Sequence, residues 1–463
     1  MSPTIAVIYH SRRGTVRALA ALAAEGARET GAEVRLLRVA DDAASAGDWP
    51  ERIAEPEDVL HADGLVLAAP TYYGMVSSPF KRFLESTSPL WGQGLLADRV
   101  ATCVTASTQR HGGREATLTS LHHTLTHWGC WVAGADPGDP VTLAAGGTPY
   151  GLVADNSKGM PGAAEQTAAR ALGRRLAELT ARAHPEGRRL RGPAPEQRTV
   201  LATPGGLRGA GAVSGDLPPA APPSTAPPPG TSAAPPGPGM PLRPVRLTVV
   251  YHGEDAATRI LAQEAAAAAR ALGAGVRLRC VAREGASRDA DWLGPRATPA
   301  GAEDIAWADA VLFGAPARLG ALAAPLLEFI QSLAPTDTAP GPLWGKPAGG
   351  FTVVPTPHAG AETALLDLGH MLLHTGAVLV PPGYTDPSVE AAGGNPYGTS
   401  WSLTEGPLPT PEATAAAAHQ GRRTVLAGDL LRRSPAMAPA PDLVTPPTPP
   451  GPVGPAASVG STV

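Results

Sequence analysis

The sequence is short of aromatic residues, cysteine and net charge, and it has no long apolar run. Five Phe and seven Tyr stand against 54 Gly and 52 Pro in 463 residues, a balance that excludes one uniformly packed globule and predicts sizeable unstructured segments beside the folded ones. Three cysteines, Cys103, Cys130 and Cys280, lie far apart. They form neither an even-numbered disulfide framework nor a paired spacing for zinc, so the expectation is a reducing compartment and no metal site. A net charge of −4 offers no basic field to a nucleic-acid backbone, and small or locally recognised ligands are expected instead. No apolar stretch approaches the ~20 residues of a membrane span, and no charged segment leads into an apolar one at the N-terminus. These absences predict a cytoplasmic protein that is not integral to a membrane.

What is present begins at Ile5-Ala6-Val7-Ile8-Tyr9. This run of β-forming residues passes into a loop with Ser11 and Gly14, and a helix rich in Ala and Leu starts near Thr15. Such a junction outlines a phosphate cradle. A helix start presents unpaired N–H groups and a positive dipole end, Ser11 and Thr15 add hydroxyl donors, and Gly14 admits an anion close to the backbone. Strand and helix patterns then alternate as far as Ala183. Strands are expected at Glu33–Val39, Leu65–Ala69, Arg99–Ala106 and Trp131–Ala133, and helices at Val16–Thr30, Pro79–Ser86, Arg114–Trp128 and Glu165–Ala183. This alternation implies parallel βαβ units in a doubly wound sheet covered on both faces.

The pattern occurs twice. Arg246–Tyr251 with His252 repeats Thr4–Tyr9 with His10, Val311–Pro316 repeats Leu65–Pro70, and His374-Thr375-Gly376 repeats His127-Trp128-Gly129. Gly393-Gly394-Asn395-Pro396-Tyr397-Gly398 likewise repeats Gly146-Gly147-Thr148-Pro149-Tyr150-Gly151, and the spacing stays nearly constant, which marks a tandem duplication. Between the copies, runs such as Pro218-Pro219-Ala220-Ala221-Pro222-Pro223 erase apolar periodicity. The expected organisation is therefore domains at 1–184 and 245–433, a disordered Pro/Ala/Gly-rich linker at 185–244, and a disordered tail at 434–463. As a flexible coil of ~60 residues the linker spans about 40 Å, enough for the domains to meet.

In an open parallel sheet, ligands lie beyond the carboxyl ends of the strands. Three loops converge there. The first is Ser11–Val16, the second Pro70-Thr71-Tyr72-Tyr73-Gly74-Met75, and the third Ala106 to Gly113 with Ser107 and Thr108. A phosphate on the first and a flat heterocycle between the other two would make a flavin mononucleotide site, with Gly74 and Gly113 allowing close passage. Tyr73 is a candidate to lie against the ring, or simply a tyrosine capping the sheet edge. His122-His123 lack a metal-ligand pattern and are expected to be surface or helix-packing residues.

The residues Tyr9–Leu19, Pro70–Met75, Leu90-Trp91-Gly92, Ser107 to Gly113 with Glu115, Leu125–Gly129 and Gly146–Gly151 together resemble WrbA-type NAD(P)H:quinone oxidoreductases, FMN enzymes of the flavodoxin superfamily. The resemblance implies two tandem flavodoxin-like three-layer α/β/α domains, with FMN as cofactor, NADH or NADPH as electron donor and a quinone-like acceptor. By it Ser11, Arg12, Arg13, Gly14, Thr15 and Val16 hold the phosphate, Pro70, Thr71, Tyr72, Tyr73 and Gly74 flank the isoalloxazine, and Ser107, Thr108 and Gly113 complete the pocket. His127 matches a family histidine beside the substrate; on the residues alone it reads equally as a helix-end histidine that favours the dipole. Arg12, Arg13, Tyr72, Arg110 and His111 depart from the family pattern.

The second copy replaces Ser11 to Thr15 with Gly253-Glu254-Asp255-Ala256-Ala257, setting carboxylates where a phosphate would sit. Like charges so placed repel by roughly a kcal/mol or more. Ala317, Arg318 and Leu319 stand where Thr71, Tyr72 and Tyr73 stood. The expectation is one working domain and one degenerate copy, the latter serving as a structural pseudo-subunit through intramolecular pairing, homo-oligomerisation or both. The alternatives are a non-enzymatic binding or assembly module and a one-electron flavodoxin carrier; the insertion near Gly146 and the lack of dense acidity argue against the carrier.

Overall fold

The computed structural model describes residues 2–41, 49–157, 160–185, 243–253, 255–281, 298–334 and 341–432. The expected linker lies almost wholly outside them, and the expected tail and Glu254 wholly so. The first unit runs β1 (Thr4–Tyr9), α1 (Thr15–Arg28), β2 (Glu33–Arg38), α2 (Pro56–Leu60), β3 (Gly64–Tyr72), β4 (Met75–Val76), α3 (Ser78–Ser86), α4 (Ser88–Gly92) and β5 (Val100–Ser107). It continues through α5 (Arg114–His127), β6 (Trp131–Ala133), α6 (Pro140–Ala144), β7 (Leu152–Asp155) and α7 (Ala163–Ala183). β1, β3 and β5 are short apolar runs buried almost throughout, as strands covered by helices on both faces must be. Their parallel registers give the order β2-β1-β3-β5.

The far side of β5 is shared. Val100 and Ala101 pair with Trp131 and Val132 of β6, whereas Val104–Ser107 pair with Leu152–Asp155 of β7. Residues 134–151 thus interrupt the fifth strand, of which the sequence pattern revealed only the first half. α1 and α7 cover one face, with Tyr9, Leu19 and Leu176 in a single buried cluster; α3 and α5 cover the other, with Ile8, Phe80 and Leu121. α1 and α7 touch backbone to backbone, because a Cβ on Gly26 would stand 2.0 Å from the Arg170 carbonyl oxygen and one on Gly173 1.9 Å from that of Ala23. The third strand, expected to stop before Pro70, runs on to Tyr72 and folds back as β4, pairing Thr71 with Val76 and Tyr72 with Met75.

The second unit repeats the plan: β8 (Arg246–Tyr251), α8 (Ala256–Ala271), β9 (Gly275–Cys280), β10 (Thr298–Pro299), α9 (Ala302–Trp307), β11 (Ala310–Arg318), β12 (Ala321–Leu322) and α10 (Ala324–Gln331). Then come β13 (Pro347–Val354), α11 (Ala361–His374), β14 (Val378–Leu379), α12 (Pro387–Ala391), β15 (Thr399–Ser402) and α13 (Pro411–Arg432). β13 again has two half-strand neighbours, β14 and β15. The chain is a tandem pair of flavodoxin-like three-layer units. No helix among the described residues is long and apolar enough to cross a membrane.

The two units share one sheet. β6 and β14 pair antiparallel, Ala133 with Val378 and Val132 with Leu379, and Val378, Val380, Ala427 and Leu431 enter the apolar cluster of the first unit. Contacts across this seam are exchanged in pairs. Buried Arg175 of α7 donates to the Gly376 carbonyl at 3.3 Å, and Arg423 of α13 donates to the equivalent Gly129 carbonyl at 2.6 Å. The Tyr150 hydroxyl meets His374 Nε2 at 2.9 Å, while the Tyr397 hydroxyl meets His127 Nε2 at 3.1 Å.

Burial pushes the pKa of seam histidines down: His122, whose Nε2 donates to the Tyr150 carbonyl, to about 3, and His123, His127, His370 and His374 in the same direction. Glu115 near His374, Glu362 near His127 and Asp367 near His370 oppose the shift without cancelling it. A histidine held neutral in the fold protonates more readily in the unfolded chain. Its contribution is therefore complete above the unfolded pKa of about 6.5 and is lost as pH falls toward the folded value, by up to about 1.4 kcal/mol per pH unit for each group. Urea denaturation should show stability that is level above about pH 7 and declines steadily through about pH 5. His122→Gln, whose side-chain amide can still donate to the Tyr150 carbonyl, should make that decline shallower; an unchanged slope would remove His122 from the account.

Candidate functional site

The first loop is shaped by what glycine permits. Gly14 adopts φ 89° at the N-cap of α1 and offers no side chain to cap the helix, while its own N–H donates to Ser11 Oγ at 3.1 Å. The first helical bond runs from Ala18 N to Gly14 O, so the N–H groups of Thr15, Val16 and Arg17 have no partner within the helix. Trp49 braces the loop from behind. Its Nε1 donates to the Ser11 carbonyl at 2.9 Å, and the Arg17 guanidinium lies over its ring.

The second loop is the tip of the β3–β4 hairpin. Tyr73 and Gly74 both have positive φ, 52° and 79°, the pairing that a two-residue turn between twisted strands requires. Tyr73 is fully exposed, 104% of its reference area, and projects from the tip. The third loop packs directly onto that tip: a Cβ on Gly113, itself at φ 84°, would stand 2.6 Å from Gly74 Cα. Arg114 fixes its base, Nε donating to Ser107 Oγ at 3.0 Å and Nη2 to the Ser107 carbonyl at 2.9 Å.

Together the loops enclose a cleft of about 260 Å³. Ser11, Arg12, Arg13, Thr15 and Val16 line it from the first loop, Pro70, Thr71, Tyr72 and Tyr73 from the second, and Ser107 and Thr108 from the third. The expected Gly14, Gly74 and Gly113 are not among the lining residues. Gln109, Gly112 and Asn156 line it as well. Asn156, which follows β7, accepts the Thr15 hydroxyl proton at 2.8 Å; its half-strand carried too short a pattern to be read from sequence. The donors gathered on the first loop are backbone N–H groups and hydroxyls at a helix start, a set that suits a phosphate dianion.

One expected residue is held by a carboxylate at the cleft, and one lies elsewhere. Arg12 is paired with Asp41, Nε to Oδ2 at 2.8 Å, and this carboxylate above all raises the Arg12 pKa. His127 is not brought to the cleft. It ends the 14-residue helix α5 that begins beside Gly113, about 20 Å along the axis, where its ring sits among Trp91, Tyr384 and Tyr397. The substrate-side placement expected for it within its own unit therefore gives way to a seam contact. Among the described residues no cluster of His, Cys, Asp or Glu could hold a metal ion.

The second unit keeps the shape without the donors. Leu319 repeats the strained, fully exposed position of Tyr73 at φ 54°, and Gly360 would crowd Gly320 as Gly113 would crowd Gly74. The start of α8 is closed by its own side chain: Asp255 Oδ1 accepts from Thr258 N at 2.6 Å and Oδ2 from the Thr258 hydroxyl at 2.9 Å.

A family model described as NADPH-dependent FMN reductase matches the chain twice, over residues 3–137 and 252–388. The NAD(P)H dehydrogenase (quinone) of Chelativorans sp. (strain BNC1) is 37% identical over 197 residues, 38% of this chain and 97% of that protein. Its namesake in Caulobacter vibrioides (strain NA1000 / CB15N) is 33% identical over 195 residues, 39% of this chain and 98% of that protein. Among solved structures, a WrbA-like flavodoxin from Agrobacterium tumefaciens is similar over 39% of this chain and 98% of its own, at 24% identity and a TM-score of 0.30.

The Gly113–Gly74 approach can be tested against an open glycine. Gly31 has φ 86° and nothing within 4 Å of a would-be Cβ. Gly31→Ala should cost only the backbone strain, about 1–2 kcal/mol, and Gly113→Ala clearly more, because backbone must also move. Urea unfolding of both variants measures the difference; equal losses would mean that the loop contact yields freely.

Proposed function

The chain belongs to the NADPH-dependent FMN reductase family, and we propose that it is an FMN-dependent NAD(P)H oxidoreductase reducing quinone-type acceptors at the cleft of its first unit. The second unit is its built-in structural partner. The observation that carries this reading is the contrast between two equivalent helix starts: Gly14 gives α1 no capping side chain, whereas α8 is capped by the carboxylate of Asp255. A carboxylate already seated at that helix start repels a phosphate and occupies one of the N–H groups it would use.

In the first unit, Ser11 and the N–H groups of Thr15, Val16 and Arg17 would hold the phosphate. Thr71, Tyr72, Ser107 and Thr108, set on a hairpin and a strand end braced by Arg114, would flank the ring. When bound, FMN supplies the hydride-accepting and hydride-donating chemistry itself. The chain's part is to bind, orient and shield. His127 has no assigned role in this cleft; together with Tyr397 it joins the units.

The full-length protein should purify yellow or take up FMN to one equivalent per chain. Its visible absorbance should bleach with NADH or NADPH and return with benzoquinone. Ser11→Asp combined with Gly14→Ala, which imitates the second unit, should abolish flavin retention while circular dichroism stays unchanged. Protein that takes up no FMN would refute the reading and leave a flavin-free assembly module, and two equivalents per chain would refute the degeneracy of the second unit.

A further inference from the structure

A buried hydrogen-bonded chain runs behind the cleft and ends on Arg12. Ser77 Oγ lies 2.8 Å from His10 Nδ1, His10 Nε2 lies 2.9 Å from Asp41 Oδ2, and Asp41 receives Arg12 Nε at 2.8 Å and Nη2 at 3.3 Å. His10 and Ser77 are each 2% exposed. The directions follow from chemistry: a carboxylate only accepts, so His10 carries its proton on Nε2 and accepts the Ser77 hydroxyl proton on Nδ1. Burial lowers the His10 pKa, although Asp41 pulls the other way, which keeps the imidazole in that neutral form. Ser77 stands at the N-cap of α3 yet makes no cap hydrogen bond; its hydroxyl serves His10 instead. At the other end, Asp41 engages two of the five guanidinium N–H donors. Arg12 lines the cleft together with Tyr72 of the second loop.

The second unit lacks this chain at the points where it can be compared. Ala323 replaces Ser77, and His252, the counterpart of His10, pairs through Nδ1 with the Val281 carbonyl at 2.9 Å. The helix start in front of it is the one closed by Asp255. The hydrogen-bonded chain and the open cradle occur together in one unit and are missing together in the other.

We propose that Ser77, His10 and Asp41 are positioning residues that hold Arg12 as a fixed clamp between the first loop and the segment that follows β2, so that FMN enters a cleft whose rim is already set. This rests on the reading of the cleft as an FMN site. Arg12 then acts as a brace between loops, with its charge balanced by Asp41, and the phosphate is left to the helix start. The opposite arrangement would make Asp41 a rival that keeps Arg12 away from the phosphate.

The test is a double-mutant cycle on the full-length apoprotein, with FMN affinity read from quenching of flavin fluorescence and apoprotein melting recorded alongside. Arg12→Met and Asp41→Asn should each weaken FMN binding by about tenfold, the scale of one charge-assisted hydrogen bond. The double variant should be no weaker than either single one, because Asp41 acts through Arg12. Ser77→Ala should weaken binding in the wild-type background and have no effect on it in Arg12→Met. Asp41→Glu, which keeps the charge, should restore part of the loss even if Asp41→Asn lowers the melting temperature. Additive losses, tighter binding by Asp41→Asn, or unchanged affinity in the single variants would each overturn the clamp. Wild-type protein that fails to bind FMN would overturn the FMN reading and the clamp with it, whereas flavin-binding wild type with unaffected variants would overturn the clamp alone.

Discussion

The structure depends on two backbone pairings, Ala133 with Val378 and Val132 with Leu379, by which the outer strands of the two units close on each other. An open strand edge presents unpaired N–H and C=O groups and invites association with other chains. Here each unit covers the edge of the other. The insertion that splits each fifth strand makes this possible, because β7 and β15 pair only with the upper half of their neighbours and leave β6 and β14 free to meet. With the edges joined, Val378 and Val380 complete the first unit's core, and Arg175 and Arg423 cross to carbonyls of the opposite unit. Hydrogen bonds from charged donors of this kind are each worth on the order of 1.5–3 kcal/mol.

That dependence explains how the second unit can differ in its loops and keep its fold. The residues serving the seam and the core lie at strand centres, helix faces and the lower ends of α5 and α11. Those serving the cleft lie on loops at the other end of the strands. The two sets barely overlap, so Asp255 can close the start of α8 without disturbing Val249, Leu261 or Phe351 beneath it. Loop shape belongs to the fold as well. Tyr73 and Leu319 share the same strained backbone, which persists with or without an aromatic ring and so is set by the tight hairpin behind it. The cleft of the first unit is thus distinguished by a few loop side chains laid on a scaffold that both units possess.

The sequence showed this scaffold well because parallel strands buried on both faces read as continuous apolar runs, and because duplication supplied a second copy of every signal. Ser11–Val16, Pro70–Tyr73 and Ser107–Thr108 could be gathered by the rule that loops following parallel strands converge. What escaped reading were residues whose roles depend on distant partners. Asp41, Trp49 and Asn156 stand in segments without periodicity and acquire meaning only through His10, Ser11 and Thr15. Pro70 suggested a strand end, yet β3 continues past it because proline gives up one donor and keeps its carbonyl. His127 was legible as a special residue, and helix length carries it away from the loop that α5 follows in its own unit.

The displacement of His127 also shows what duplication did to the seam. His127 contacts Tyr397 and His374 contacts Tyr150, so the histidine at the end of each fifth-strand helix meets the tyrosine of the opposite insertion. Separate subunits would make both contacts from one sequence, and any change would be felt twice. Within one chain the two contacts are encoded separately and can diverge. They have kept the same residues, while the loops above them have not. The difference follows from burial: a seam histidine or tyrosine that loses its partner leaves an unsatisfied polar group in the interior, at about 1–3 kcal/mol, whereas a cradle that loses its ligand exposes its donors to water. The differences between the two units therefore fall at positions open to solvent or met by a local carboxylate, such as Asp255 at the start of α8.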